Sequence, residues 1–232
     1  MARRRFTSIA VGKKWAKPAS TAGKLPAGRV LICGDDAELV KALVRSFERA
    51  GQACEVVTAG QTIAGPVTGL VLTAPNAGSW DDASEQWLKH ALLIARGASA
   101  SLRATAGSFV AAVSRRDGAF GFARTRQHGH PLAGALNGLV KTLALEWPEV
   151  KCRSLDVSPH WSPDDAAQAI SDELANDGPT ELGLGPAGRL TLALREAKVQ
   201  GGALPLKSGD VVVVTGGARG VTADCARELA KA

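Results

Sequence analysis

Tyrosine is missing from all 232 residues, and the chain holds a single methionine, five tryptophans, five phenylalanines and four cysteines. No phenol can therefore act as a proton donor anywhere in this sequence. The cysteines Cys33, Cys54, Cys152 and Cys225 are widely separated and form no CxxC pair, which excludes a disulfide framework or a zinc site of the usual spacing and leaves reduced, small core residues. No apolar run approaches the roughly 20 residues of a membrane span, so a transmembrane role is not expected. The opening "MARRRFTSIAVGKKWAKPAS" interrupts its short apolar stretch with Lys13 and Lys14, unlike a secretory signal, and the expected location is the cytoplasm.

Acidic residues are missing from the first 34 positions, which hold Arg3, Arg4, Arg5, Lys13, Lys14, Lys17, Lys24 and Arg29. The formal charge of +6 belongs to this leader, and the remainder is slightly acidic. A leader rich in Lys, Pro, Ala and Gly reads as a solvated linker over residues 1–28, and its charge alone is a weak case for a nucleic-acid partner.

What is present is an ordinary globular composition, 45% hydrophobic and 22% charged, with length for one good-sized domain or one domain plus part of another. From Arg29 apolar strands alternate with amphipathic helices. "RVLIC" reads as a strand, followed by a helix capped by Asp35 or Asp36 with Leu39, Leu43, Val44 and Phe47 on one face. "CEVVTA", "GLVLTA", "SFVAAVS" and "KCRSLDV" read as further strands. "DDASEQWLKHALLIARGAS", "PLAGALNGLVKTLALEW" and "SPDDAAQAISDELAND" read as helices. Leu132, Leu136, Leu139, Val140, Leu143 and Trp147 form one stripe that Pro148 ends, and Pro163 suits a first helical turn. This order predicts a doubly wound, mainly parallel Rossmann-like α/β sheet over residues 29–200. "LGLGPAGRLTLALREAK" reads as a turn with a strand or short hairpin, and a Gly/Pro linker opens residues 201–232, where a second strand, glycine loop and helix begin.

Two glycine turns follow strands, and they differ in chemistry. "VVVVTGGARGVTADCARELA" places Gly216, Gly217 and Gly220 between an apolar strand and a helix, the setting in which backbone N–H groups and a helix N-terminus hold a pyrophosphate. "RVLICGDDAELV" keeps only Gly34 and then sets Asp35 and Asp36 where phosphate oxygens would lie. Two carboxylates there cap a helix and repel a dinucleotide, so the first domain reads as Rossmann-shaped without a cofactor.

The order of these parts, with "GLVKTLALEWPEVKCRSLDVSP" and "VVVVTGGARGVTADC", resembles the ketoreductases of modular polyketide and polyunsaturated fatty acid synthases, in the short-chain dehydrogenase/reductase superfamily. The resemblance runs from about Arg29 to the end. It implies a structural subdomain and then the first strand, loop and helix of a catalytic subdomain, so that the chain reads as truncated before the catalytic Ser and Tyr. Laid without gaps on Gly138, the superfamily's catalytic-helix pattern puts Gly129 at the tyrosine position and Ala133 at the lysine position.

The resemblance further implies a parent that reduces a β-ketoacyl group on acyl carrier protein with NADPH, working beside other synthase domains, and a 232-residue chain that is inactive by itself with no catalytic residue of its own. Thr215, Gly216, Gly217, Arg219 and Gly220 would line the cofactor's diphosphate and ribose, with Arg219 pairing the 2′-phosphate. Thr222 stands where many members carry a third glycine.

Other residues carry blander readings. His128 and His130 in "RQHGHP" lack a supporting ligand cluster and read as loop residues before a helix, with no metal expected. Trp80, Trp87, Trp147 and Trp161 read as core or domain-contact residues, and Asp81, Asp82 and Glu85 as a helix N-terminus. No GxSxG, HExxH or P-loop pattern occurs. Two alternatives stay open: a stand-alone nucleotide-binding module using the terminal loop, and a non-catalytic interaction module whose basic leader meets an acidic partner. The former requires Val211–Val214 to find sheet neighbours.

Overall fold

The computed structural model describes residues 6–14, 23–58, 61, 63–75, 78–122, 129–186, 188–198, 206–207 and 209–231. They fall into two compact units, one of Ala10–Arg195 and one of Met1–Ile9 with Glu196–Ala232.

In the larger unit the apolar runs become strands β2 (Arg29–Gly34), β3 (Ala53–Val56), β4 (Gly69–Thr73), β5 (Phe109–Ser114), β6 (Lys151–Val157) and β7 (Glu181–Gly185). The periodic segments become α1 (Ala37–Arg49), α2 (Asp82–Ala104), α3 (Leu132–Glu146) and α4 (Pro163–Ala175). β2, β4, β5, β6 and β7 pair in parallel with β3 at the far side of β2, and β7 turns antiparallel into β8 (Gly188–Lys198). With β1 (Phe6–Lys14), the sheet order is β1-β8-β7-β6-β5-β4-β2-β3. The segment read as a linker over 1–28 contains the strand at Phe6–Lys14. Thr7, Ile9 and Val11 are β-branched, and an edge strand needs a partner on one side only.

Side-chain alternation along the buried strands divides the core in two. Leu31, Cys33, Leu70, Leu72, Val110, Ala112 and Cys152 face α2 and α3. Val30, Ile32, Val71, Phe109, Ala111, Val113, Leu155 and Val157 face α1 and α4. Strands covered on both faces read as continuous apolar runs for this reason. On the second side the rings of Phe47 and Phe109 stack at a centroid distance of 6.0 Å, both fully buried, a burial that contributes about 1.5–3 kcal/mol for each ring.

Helix starts follow local chemistry. Asp36 caps α1 by accepting from the Leu39 amide, Asp81 caps α2 through the Ser84 amide, and Ser162 caps α4 with Pro163 in its first turn. α3 ends at Glu146, ahead of Pro148. Trp147 is buried and Trp87 and Trp161 lie partly buried against the cores, whereas Trp80 is exposed and lies outside them. Cys33 and Cys152 are buried, Cys54 is half-buried and Cys225 is exposed, so one of the four thiols is not the core residue expected. A cysteine in the middle of a covered strand has no choice of face, while Cys225 lies on a helix none of whose residues is buried.

The smaller unit holds α5 (Gly220–Ala230). The expected strand at Val211–Val214 does not form: these residues are unpaired and exposed, Val211 to 92% and Val213 to 86%. A central parallel strand exists only as a member of a ladder, and among the described residues no neighbour pairs with it. Val212 and Val214 instead line a groove of about 580 Å³ with Ala226, Leu229 and Ala230 of α5.

Candidate functional site

In a doubly wound sheet, ligands bind beyond the carboxyl ends of the strands where the strand order reverses. Here the reversal falls between β2 and β4, since the chain goes from β2 out to β3 and returns to β4 on the other side. Gly34 ends β2 there because a Cβ would lie 1.6 Å from Thr73 Oγ1 on β4. The crevice, about 690 Å³, is lined by Asp35, Pro75, Asp81, Ser84, Trp87 and His130 among others. Asp35 is exposed and Asp36 is turned to its capping role, with Arg115 Nη1 4.0 Å from its carboxylate. Of the two carboxylates at this turn, Asp35 lines the crevice and Asp36 caps α1.

A third carboxylate stands at the end of another strand. Asp156, fully buried at the end of β6, accepts from Ser114 Oγ at 2.8 Å and from the amides of Arg116 (2.8 Å), Asp117 (3.3 Å), Ala119 (3.0 Å) and Phe120 (2.8 Å). Successive amides curled round one carboxylate form the kind of concavity that elsewhere binds a phosphate. The chain satisfies it with its own side chain. Burial pushes the Asp156 carboxyl up from its ordinary range, while the amides of Arg116 and Phe120 pull it down. Phe120 adopts a left-handed φ of 56° to bring its amide into this ring. Nothing in the sequence signalled the loop that wraps the aspartate.

His130 lies at the start of α3, where its Nδ1 accepts from the Leu132 amide at 3.1 Å. Nε2 therefore carries the proton and faces Ser84 Oγ at 3.3 Å, and Ser84 Oγ donates to Asp81 Oδ1 at 2.6 Å. The hydroxyl is a relay between two helix starts and not an activated nucleophile, because the imidazole donates to it. His128 lies outside the described residues. Among the described residues no cluster of three or more metal-ligating side chains occurs. No described helix is long and apolar enough to cross a membrane.

The second glycine turn has opposite chemistry. Thr215, Gly216 and Gly217 form a turn, Arg219 is the N-cap residue of α5 with extended backbone, and Gly220 opens the helix. Gly216 (φ 72°) and Gly220 (φ 68°) need the left-handed conformation that glycine adopts without strain, and a Cβ on either would meet open space. No side chain caps α5, and its first turn holds no acid, whereas the first turn of α1 carries Glu38 behind the Asp36 cap. Thr215, Arg219 and Gly220 are exposed and Gly217 is half-buried. Uncapped amides, open space at Gly216 and Gly220 and a nearby guanidinium fit an anionic phosphate group. Gly129 and Ala133, at the tyrosine and lysine positions of the superfamily pattern, offer no titratable group, and a Cβ on Gly129 would lie 3.2 Å from Arg116 Cγ.

No protein-family profile matches the chain. It superposes on an A-type ketoreductase from a modular polyketide synthase with a TM-score of 0.64 at 23% identity, over 97% of this chain and 50% of that one. The fold is that of the ketoreductases. A C2-type ketoreductase from a modular polyketide synthase gives a TM-score of 0.62 at 16% identity over 96% and 51% of the two chains, and an A1-type ketoreductase gives 0.58 at 21% over 98% and 50%. A curated relative, one of the polyunsaturated fatty acid synthase polypeptides of Thraustochytrium sp., is 39% identical over 130 residues, which are 51% of this chain and 4% of its own length. The chain thus spans about half of each of these three ketoreductase structures and a small part of the curated relative.

Proposed function

We propose that this chain is part of a β-ketoacyl-[acyl carrier protein] reductase of a multidomain polyketide or polyunsaturated fatty acid synthase, supplying the structural subdomain and the phosphate loop of the catalytic one. One contrast carries the reading. The Rossmann-shaped sheet meets its own ligand edge with Asp35, Asp36 and Asp156, while the separate Gly216–Gly220 turn leads into an uncapped helix. A sheet that refuses phosphate, followed along the chain by a loop that accepts it, suits a scaffold joined to a cofactor site.

In this reading Thr215, Gly216, Gly217 and Gly220 hold the diphosphate of NADPH through backbone N–H groups, and Arg219 pairs with its 2′-phosphate. The nicotinamide supplies hydride to the ketone carbon when bound. The chain has no tyrosine, so it does not furnish the phenol that protonates the ketone oxygen in such reductases. It is inactive alone, and its partners are acyl carrier protein and the other synthase domains, in the cytoplasm.

The test is a fluorescence titration of the purified chain with NADPH and NADH, paired with an assay of β-ketoacyl thioester reduction. The expected result is no tight nucleotide binding and no turnover, because Val211–Val214 lacks the sheet that would fix the loop. Tight NADPH-selective binding by the isolated chain would replace this reading with that of a stand-alone nucleotide module.

A further inference from the structure

At the opposite ends of the strands from the crevice, two guanidinium groups converge on one backbone position. Arg153 lies on β6 and Arg189 on β8, and an ideal Cβ on Gly178 would stand 3.9 Å from Arg153 Nη2 and 3.8 Å from Arg189 Nη2. Arg189 is engaged by Glu173 in a bidentate pair, Nε to Oε1 at 2.5 Å and Nη2 to Oε2 at 2.6 Å. Arg153 is only 7% exposed, and among the described residues its hydrogen bonding amounts to one long contact, Nη2 to the Asn176 carbonyl at 3.4 Å.

A guanidinium carries five N–H donors, and a buried one with a single weak acceptor is an unusual arrangement. Among the described residues no carboxylate hydrogen-bonds to Arg153. Glu173 is taken by Arg189, and the side chain of Asp177 is fully solvent-exposed and reaches Lys151 at 3.5 Å. Lys151 adds a third cation, donating to the carbonyls of Leu174 and Asn176 at 3.3 and 3.2 Å. Burial lowers the pKa of Arg153 and the neighbouring charge of Arg189 works in the same direction, against the opposing pull of Asp177 and Glu173.

The geometry points to an oxyanion site beside Gly178, in which a phosphate or carboxylate group bridges Arg153 and Arg189. Charge-assisted N–H···O bonds of roughly 2.8 Å can span the two Nη2 atoms through two oxygens of one anion. Among the described residues, apart from the neighbours of Gly178 in the chain, these two guanidinium nitrogens are what a Cβ at position 178 would meet within 4 Å. This site is independent of the proposed reductase role, and it belongs to the larger compact unit whereas the Gly216–Gly220 turn belongs to the smaller.

The experiment follows the Gly178 amide resonance of the ¹⁵N-labelled full chain while inorganic phosphate is added against sodium chloride at matched ionic strength. A saturable shift is expected, abolished by Arg153→Met, which keeps the packing of the stem, and by Gly178→Asp, which supplies a carboxylate from the chain itself. A parallel titration with acetate separates the two sources: saturation by acetate but not phosphate assigns a carboxylate, the reverse a phosphate. No saturation by either anion, or the same saturation in Gly178→Asp, overturns the proposal even if Arg153→Met fails to fold.

Discussion

Ser114 and Asp156 stand directly opposite each other at the ends of β5 and β6, and the serine hydroxyl donates to the carboxylate at 2.8 Å. This bond anchors the ring of amides from Arg116 to Phe120, which makes the loop after β5 depend on one side chain from β6. Asp156→Ala leaves these donors without their acceptor in a buried site, and a loss of about 3 kcal/mol is expected. Urea unfolding measures it. A loss under about 1 kcal/mol, the net worth of one ordinary hydrogen bond, would show that the loop finds other acceptors.

Glycines of the two kinds should respond with opposite sign. A Cβ on Gly34 would overlap Thr73 Oγ1 and stand 2.9 Å from its Cβ, whereas one on Gly138 in α3 meets open space. Gly34→Ala should destabilise by about 1–3 kcal/mol through overpacking, and Gly138→Ala should stabilise by about 0.5–1 kcal/mol through helix propensity. Thermal midpoints of the two variants decide it.

The capping carboxylate of α2 predicts a pH dependence. The hydroxyl and then the amide of Ser84 hydrogen-bond to Asp81 and lower its carboxyl below the ordinary range. A lowered carboxyl contributes fully above its unfolded value of about 4 and loses that contribution as the pH falls through the folded value. Asp81→Ser keeps a capping oxygen without the charge. The stability difference between the parent and this variant should be largest near neutrality and shrink on acidification below about pH 4. A difference that is constant with pH would show that the charge plays no part.

Thiol reactivity should rank the cysteines. Burial pushes Cys33, Cys54 and Cys152 up to about 11, so at neutral pH they are protonated thiols, while Cys225 is exposed on α5. A disulfide reagent at about pH 7.5 should label Cys225 quickly and the buried Cys33 and Cys152 only after denaturant is added. Rapid labelling of all four in the native chain would contradict the packing of β2 and β6.

Arg219 carries the cofactor prediction. In a complete reductase containing this segment, Arg219→Ala should raise KM for NADPH about tenfold or more and leave KM for NADH nearly unchanged, because only the former has a 2′-phosphate to pair. Equal changes for both nucleotides would remove Arg219 from that role.

Much of the larger unit was legible in sequence because its signals are local. The runs "RVLIC", "GLVLTA" and "SFVAAVS" are covered on both faces, so their hydrophobicity does not alternate, and turn or capping residues such as Asp36, Asp81 and Pro163 mark the helix starts. The strand at Phe6–Lys14 was hidden by its charges, since an edge strand tolerates lysine that a central strand would not. The apolar run Val211–Val214 misled in the other direction: propensity favours a strand, but a ladder needs neighbours, and propensity does not provide them.

By itself the sequence determined the alternation of strand and helix, the absence of any phenol, and the contrast between Gly34-Asp35-Asp36 and the Gly216–Gly220 loop. Each of these is a property of residue type and spacing. Tertiary structure alone decided that Asp156 fills the amide ring after β5, that His130 donates to Ser84, and that Arg153 and Arg189 meet at Gly178. Those pairings join residues from separate elements, and their distances are set by strand order and register, which no local pattern of side chains encodes.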